Sequence, residues 1–518
     1  MSLVREQGSE IITQFNVPIR GTWKNIAAHT LPVDAVYDSL NVFIREGKLR
    51  NRPGLTLYDD ATFLEPVLGG VMIVTPTEHI ILGITRNRVY QLSSVTQVWS
   101  SITLTGSTGI TIAPNNTSVV DMAFMETAGE YVALIAQQDN ILKKWSDTPR
   151  LLEVLTGTNI PRAKSVCIAA SRVIALVYPH TVVWSLTLNP TNFSALAYAK
   201  RAQTGDEGIC VRSLTALSFV LYKERSIHMA RAQAGLDEGT AFSFSEPIYI
   251  EGPAGIYAVV NVNGVHYYMT RNGRIAKFDG ASYPQWIADG LWLFLQEDIN
   301  QSLVHMIRGV YDYRLHTITF FYPKVGETGI LRGMVIINLP FEGQDIAEPA
   351  VAKAFLGLCE KSIVHACEKR WNDMIDRSLL FSSPLDTQDR SQAYIVDETT
   401  NMDEDLHFTC SFQTGLQAMP DARHTQVTVE TFMERGERYG AVLIEPVISD
   451  ALETPGGTVA ESSGQYVDLE YNPIVEYKGF NKIMRFFGLR YTWRSDNKVR
   501  YSGAVVYSSS TPGKKKVQ

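Results

Sequence analysis

The 518-residue chain has little of what marks most enzymes, membrane proteins and nucleic-acid-binding proteins. It has no uninterrupted apolar run of the ~18 residues that a membrane-crossing helix needs. The opening "MSLVREQGSEIITQFNVPIRG" carries charges and no apolar stretch of signal-peptide length, so neither secretion by that route nor membrane spanning is expected. The five cysteines, Cys167, Cys210, Cys359, Cys367 and Cys410, are scattered and form no close pair for chelating zinc. Buried, reduced thiols in a reducing compartment are the simpler expectation, and the sequons "NNT" and "NFS" then read as accidental. A formal net charge of -7 disfavours a protein whose main task is neutralising phosphates, which needs a basic stripe.

Aromatic residues, by contrast, are plentiful, with 23 Tyr, 21 Phe and 8 Trp, and such residues suit strands. From about residue 66 to 398 one shape returns: an apolar strand, a polar turn, a second strand. The copies read "IILGITRNRVYQLSS", "YVALIAQQDNILKKWSD", "VIALVYPHTVVWSLT", "LSFVLYKERSIHMARA", "VHYYMTRNGRIAKFDG", "ITFFYPKVGETGILRGMVIINLP" and "EKRWNDMIDRSLLFSSP". The first apolar residues after the turns, Val89, Ile141, Val182, Ile227, Ile275, Met334 and Leu379, stand 41 to 59 residues apart. That period, without helical periodicity, suits four-stranded propeller blades. The expected fold is all-β, with a β-propeller core of about seven blades over residues 66–402. Six or eight blades also fit the uneven spacing, and any β-rich chain contains some hairpins.

Beyond the acidic "DETTNMDEDL" stretch the texture changes. Longer alternating strands such as "TQVTVETFM", "YGAVLIEPVI" and "VRYSGAVVYSSS" predict a small β-sandwich-like domain over 403–518. In "IMRFFGLRYTWRSDNKVRYSG", Phe486, Phe487, Tyr491, Trp493 and Tyr501 interleave with Arg485, Arg490, Arg494, Lys498 and Arg500. Base stacking with phosphate binding would use that mixture. A strand with an aromatic inner face and an arginine outer face accounts for it more simply. The closing "TPGKKKVQ" reads as a solvated tail.

Catalytic signatures are missing: neither glycine-rich nucleotide loop, no G-x-S-x-G elbow, no H-E-x-x-H. "KWSDTPR" approaches a sialidase-type box but lacks its glycine and Thr-Trp. The acidic stretch at 397–405 is a conceivable calcium ligand set without EF-hand spacing. No catalytic, cofactor-binding or metal residues are therefore assigned, and a solvated linker is the plainer reading of the acidic run.

What remains is the N-terminal segment, residues 1–65, read as an extended arm and a docking hairpin. In "GTWKNIAAHTLPVDAVYDSLNVFIREGKLRNRPGL", Val42 and Ile44 alternate with Phe43 and Arg45, Glu46-Gly47 turns, and Arg52-Pro53-Gly54 leads the chain out. Leu31, Pro32, Asn41, Val42, Gly47, Leu49, Arg52, Pro53 and Gly54 follow a pattern that resembles the opening of podovirus-type bacteriophage tail proteins: tail nozzle, tail tubular protein B and packaged-DNA stabilisation proteins. Trp184, Ser185, Pro190, Asn192 and Phe193 in "VVWSLTLNPTNFSA", and "FQTG" at 412–415, are similar to later landmarks of that family.

The resemblance implies a structural virion protein. It would form a homohexameric ring below the portal and adaptor of a short tail, continue and close the DNA channel through which double-stranded DNA passes transiently, and contact tail fibres or spikes. It implies a place in the virion tail, reached by assembly in the host cytoplasm. Arg45, Arg50, Arg52, Pro53 and Gly54 are the candidate subunit or adaptor interface, against the alternative that they serve local geometry at the first blade. No gate loop is recognisable. Two other readings stay open: a soluble β-propeller scaffold binding protein partners, and a propeller glycan hydrolase or lyase.

Overall fold

The structure, a computed structural model, describes residues 9–103, 119–127, 129–137, 140–147, 150–234, 238–339, 353–371, 374–384, 391–418, 426–435, 441–449, 458–459, 465–468, 474–478, 486–495 and 499–509. Strand–turn–strand units whose apolar residues face both ways can bury themselves only by stacking sheet on sheet. Here they do so radially, as a seven-bladed β-propeller. Blade one comprises Gly69–Val74, His79–Ile84, Arg88–Ser93 and Trp99–Thr103, each antiparallel to the next. Blades two to five repeat this order, with innermost strands Asp121–Glu126, Ser165–Ala169, Gly208–Thr215 and Val259–Val262. Blade six starts from Arg308–Asp312.

The first six hairpins of the sequence are the second and third strands of blades one to six, while the seventh joins the first and second strands of blade seven. That change of phase explains part of the uneven spacing. A further cause is the long strand Lys353–Trp371, whose first half completes blade six and whose second half opens blade seven.

Blade seven is closed by a segment from the other end of the chain. Gly54–Phe63 pairs antiparallel with Ser391–Asp397 as its outer strand, so the strand that sequence analysis placed in the N-terminal arm belongs to the propeller. The ring is completed where Lys353–Trp371 meets Gly69–Val74. Phe63, Tyr90, Trp99 and Phe381 interlock there edge to face, with Phe63 centroids 4.6 to 5.5 Å from its three neighbours.

The predicted sandwich likewise draws on both ends. Its first sheet orders Val42–Arg45, Lys48–Asn51, Val499–Ser509, Gln426–Arg435 and Ile474–Lys478, with Ser9–Phe15 also on Val499–Ser509. Its second runs Val36–Leu40, Thr409–Thr414, Phe486–Arg494, Ala441–Ser449 and Thr458–Val459, with short additions. The arm and hairpin are therefore integral strands, and 403–518 does not make the sandwich alone. As the alternation predicts, Phe487, Tyr491, Trp493 and Tyr501 point into its core and Arg494 and Arg500 out. Arg485, Lys498 and the lysine tail lie outside the described residues. One apolar core runs from Phe15, Phe412 and Trp493 through Phe43 and Leu55 to Phe355 and Tyr394, welding the sandwich to blades six and seven.

Candidate functional site

The interface candidates occupy this weld. Glu46 and Gly47 both have positive φ, 53° and 71°, giving the tight two-residue turn between Val42–Arg45 and Lys48–Asn51. Arg45 pairs with Glu398 and Arg50 with Glu46, and both arginines keep part of their surface in solvent. Arg52 does not. Its guanidinium is 2% exposed and grips fully buried Asp403 through two bonds of 2.8 and 2.6 Å. It also donates to Asn41 Oδ1 and to the carbonyl of Leu358, and lies over the Phe408 ring. A Cβ on Gly54 would stand 2.1 Å from the Met402 carbonyl oxygen. Arg52 and Gly54 thus act inside the subunit, which corrects their assignment as contact residues: burial of the charge beside its carboxylate leaves no surface to offer. Pro53 is half-buried between them.

Asp403 is committed in the same way: besides Arg52 it accepts from the Glu360 amide. Glu404 pairs with Lys361, and Asp397 accepts from Thr56 and from the Thr399 amide and hydroxyl. The acidic stretch is wired into the blade–sandwich joint, and no cluster of metal-ligating side chains occurs among the described residues.

A wide cleft lies elsewhere, on the propeller face that carries the connections from each outer strand to the next inner strand. It measures about 1020 Å³ and is lined from blades two, three, four and five and the approach to blade six. Lys164, Arg225 and Arg271 balance Glu207, Glu224 and Glu251 around it, with His305 at one side. Lys164 bonds Glu207 at 2.8 Å, bridging blades three and four, while Glu251 accepts the Asn272 amide. The connection Glu251–Gly255 passes so closely over its neighbours that a Cβ on Gly252 would lie 1.9 Å from Lys223 O, and one on Gly255 2.4 Å from His305 O. Tyr249, 66% exposed, stands on the rim and accepts at its carbonyl from the Tyr283 hydroxyl at 2.6 Å.

Beneath the cleft the axis is filled with side chains. Asp121 of blade two takes Arg212 of blade four at 2.8 Å, the Ser165 hydroxyl at 2.6 Å and the Val166 amide at 2.9 Å. Arg212 also donates to the Ile256 carbonyl at 2.7 Å. The Asp121 carboxylate beside it outweighs burial and holds the guanidinium above its ordinary pKa. Tyr257 then donates to Val120 O, its phenol pushed up chiefly by burial.

This cleft leaves little trace in the sequence. Glu224, Arg225 and Arg271 sit in the turns "YKERS" and "TRNGR", which read only as polar hairpin tips, Lys164 and Glu207 sit in connections between blades, and the one local signal is the Gly- and Pro-bearing "EGPAG" that carries Glu251 between two hairpins. Of the residues that carry the family resemblance, Trp184 and Phe193 are core residues of blade three, and the Trp184 indole donates to Glu238 O.

No protein-family model and no curated protein matches the chain. Among solved structures it is similar to the RRP9 WD40 repeats, at 10% identity over 67% of this chain and 99% of that one, with a TM-score of 0.41. A chain of a mitotic checkpoint complex aligns at 7% identity over 67% of this chain and 93% of that one, with a TM-score of 0.42.

Proposed function

We propose that this chain is a non-catalytic β-propeller scaffold that receives a protein partner in the cleft of its connection-bearing face. The observation that carries the reading is the composition of that cleft: three cations and three anions distributed around a wide concavity with an aromatic rim. A polyanion would be repelled as much as attracted there, whereas a peptide segment of mixed charge finds complementary groups and a tyrosine platform. Lys164 and Glu207 satisfy each other, and Glu251 is occupied by a backbone amide, which suits a rigid recognition surface better than a set of groups poised for proton transfer.

A second reading places the scaffold in a short phage tail, and a specific observation favours it. The residues behind the N-terminal resemblance are architectural: Asn41, Arg52 and Gly54 hold the sandwich against blades six and seven. A pattern shared for that reason is a pattern of fold, so the likeness would extend to how the subunit is built and assembled. In this setting homohexamers, the adaptor ring and fibres or spikes are the proposed partners. DNA would pass between subunits, because side chains fill the propeller's own axis.

Light scattering and negative-stain microscopy of the purified chain, alone and mixed with portal and adaptor proteins of a short-tailed phage encoding it, separate the readings. Closed rings, alone or on the adaptor, support the tail assignment. A monomer that ignores both overturns that assignment and leaves the cleft scaffold. The double charge reversal R225E/R271E tests the cleft itself. It is expected to weaken partner binding at least tenfold while Tm stays within about 1 °C, since both side chains are exposed. Unchanged binding would remove the cleft from the interface.

A further inference from the structure

Arg308, at the start of the innermost strand of blade six, is 1% exposed. Its Nη1 donates to the carbonyls of Met306 at 2.7 Å, Ile307 at 3.3 Å and His305 at 3.4 Å, and its Nε has no hydrogen-bond partner among the described residues. No carboxylate pairs with it among the described residues. Asp121, the acid of the axis, is already saturated by Arg212, Ser165 and Val166. On the adjacent blade seven His365 is fully buried, and neither ring nitrogen has a partner among the described residues. Both groups lie on the same ring: the Arg308 guanidinium carbon is 5.1 Å from the Tyr257 centroid, and the His365 centroid is 4.9 Å from it, edge to face.

Such an arrangement is expensive as it stands. A buried cation without a counter-charge carries a large desolvation penalty, and buried polar groups without hydrogen bonds add to it. Burial correspondingly draws the Arg308 guanidinium down to about 10 and, together with Arg308, drives His365 well below the usual histidine range. We propose that the propeller axis binds a small monovalent anion of the halide class between Arg308 and His365. One guanidinium supplies one positive charge, and a neutral imidazole supplies one N–H. That donor set suits a single spherical anion, whereas a multiply charged oxyanion needs more donors than these two side chains have free. The site would tie blades five, six and seven together at the centre of the ring, and it is independent of the partner proposed for the cleft.

Crystals of the full chain grown in bromide provide the direct test. Anomalous scattering is expected to show one peak on the axis within hydrogen-bonding distance of Arg308 Nε, absent in R308M. In solution, exchanging gluconate for bromide or chloride at constant ionic strength is expected to raise the wild-type Tm by roughly 1 to 3 °C. R308M should show no such rise, and R308K should keep part of it. A wild-type map without an axial peak, a peak that survives in R308M, or equal wild-type Tm values in gluconate and bromide would each overturn the proposal. The wild-type measurements decide it even where R308M fails to fold.

Discussion

At the residue scale the decisive pair is Arg52 and Asp403. A bidentate ion pair with both partners buried is held up by its geometry and by the added bonds to Asn41, Leu358 and Glu360, and removing one member leaves the other charged and unpaired. R52M and D403N are each expected to lower stability by about 3 to 5 kcal/mol in urea unfolding, with R52M/D403L recovering much of that loss. Additive losses in the double variant would show that the pair is not coupled. His266 makes a pH prediction. Its ring is buried, bonded at Nδ1 to the Tyr222 hydroxyl and at Nε2 to the Ser213 carbonyl, both at 2.9 Å, and burial draws its pKa down to about 4. The unfolded chain, with an ordinary value near 6.5, binds this proton first as pH falls. Between about pH 6.5 and 4 the unfolded state therefore holds more protons, so stability drops on acidification through that window, by about 2 kcal/mol at pH 5 from this group. H266Q keeps one donor and one acceptor, and is expected to flatten the difference between unfolding curves at pH 7 and pH 5.

At the scale of elements the strand Gly54–Phe63 matters most, because a ring of sheets has two ends that must be joined. Blade seven takes three strands from residues 353–397 and its fourth from the N-terminal side, so the closure is a pairing of segments over 300 residues apart in the chain. Phe63, Leu379, Phe381 and Ala393 bury one another there. A chain starting at residue 66 would expose that face and would also strip the sandwich of Val36–Leu40, Val42–Arg45 and Lys48–Asn51. It is expected to bind hydrophobic dyes and to lose a single cooperative unfolding transition. A sharp transition retained by this truncated chain would show that the closure is dispensable.

At the scale of the whole molecule two β units share a core, and the cleft is lined mainly by blades two to five, reaching the sandwich-bearing side only at Val304 and His305. One end of the molecule can thus be fixed by the sandwich while the cleft stays open. The charge-reversal and ring-formation experiments belong to this scale, since they distinguish a partner held at the cleft from neighbours held elsewhere.

The sequence by itself determined the local pattern. Alternation and polar turns specify hairpins, and their 41 to 59-residue spacing specifies repeated blades, because side-chain direction along a strand depends only on near neighbours. The inward aromatics of Phe486–Arg494 were legible for the same reason, as was the turn at Glu46-Gly47. Only the tertiary structure decided what is paired across long separations. It put Gly54–Phe63 into blade seven, turned Arg52 from a candidate contact residue into a buried partner of Asp403, and gathered Lys164, Arg225, Glu251 and Arg271 at one cleft. Arg308 and His365, 57 positions apart in the chain, meet on Tyr257 only because consecutive blades stack side by side. Such pairings are chosen by burial and charge compensation across the assembled core, and periodicity along the chain carries no record of them.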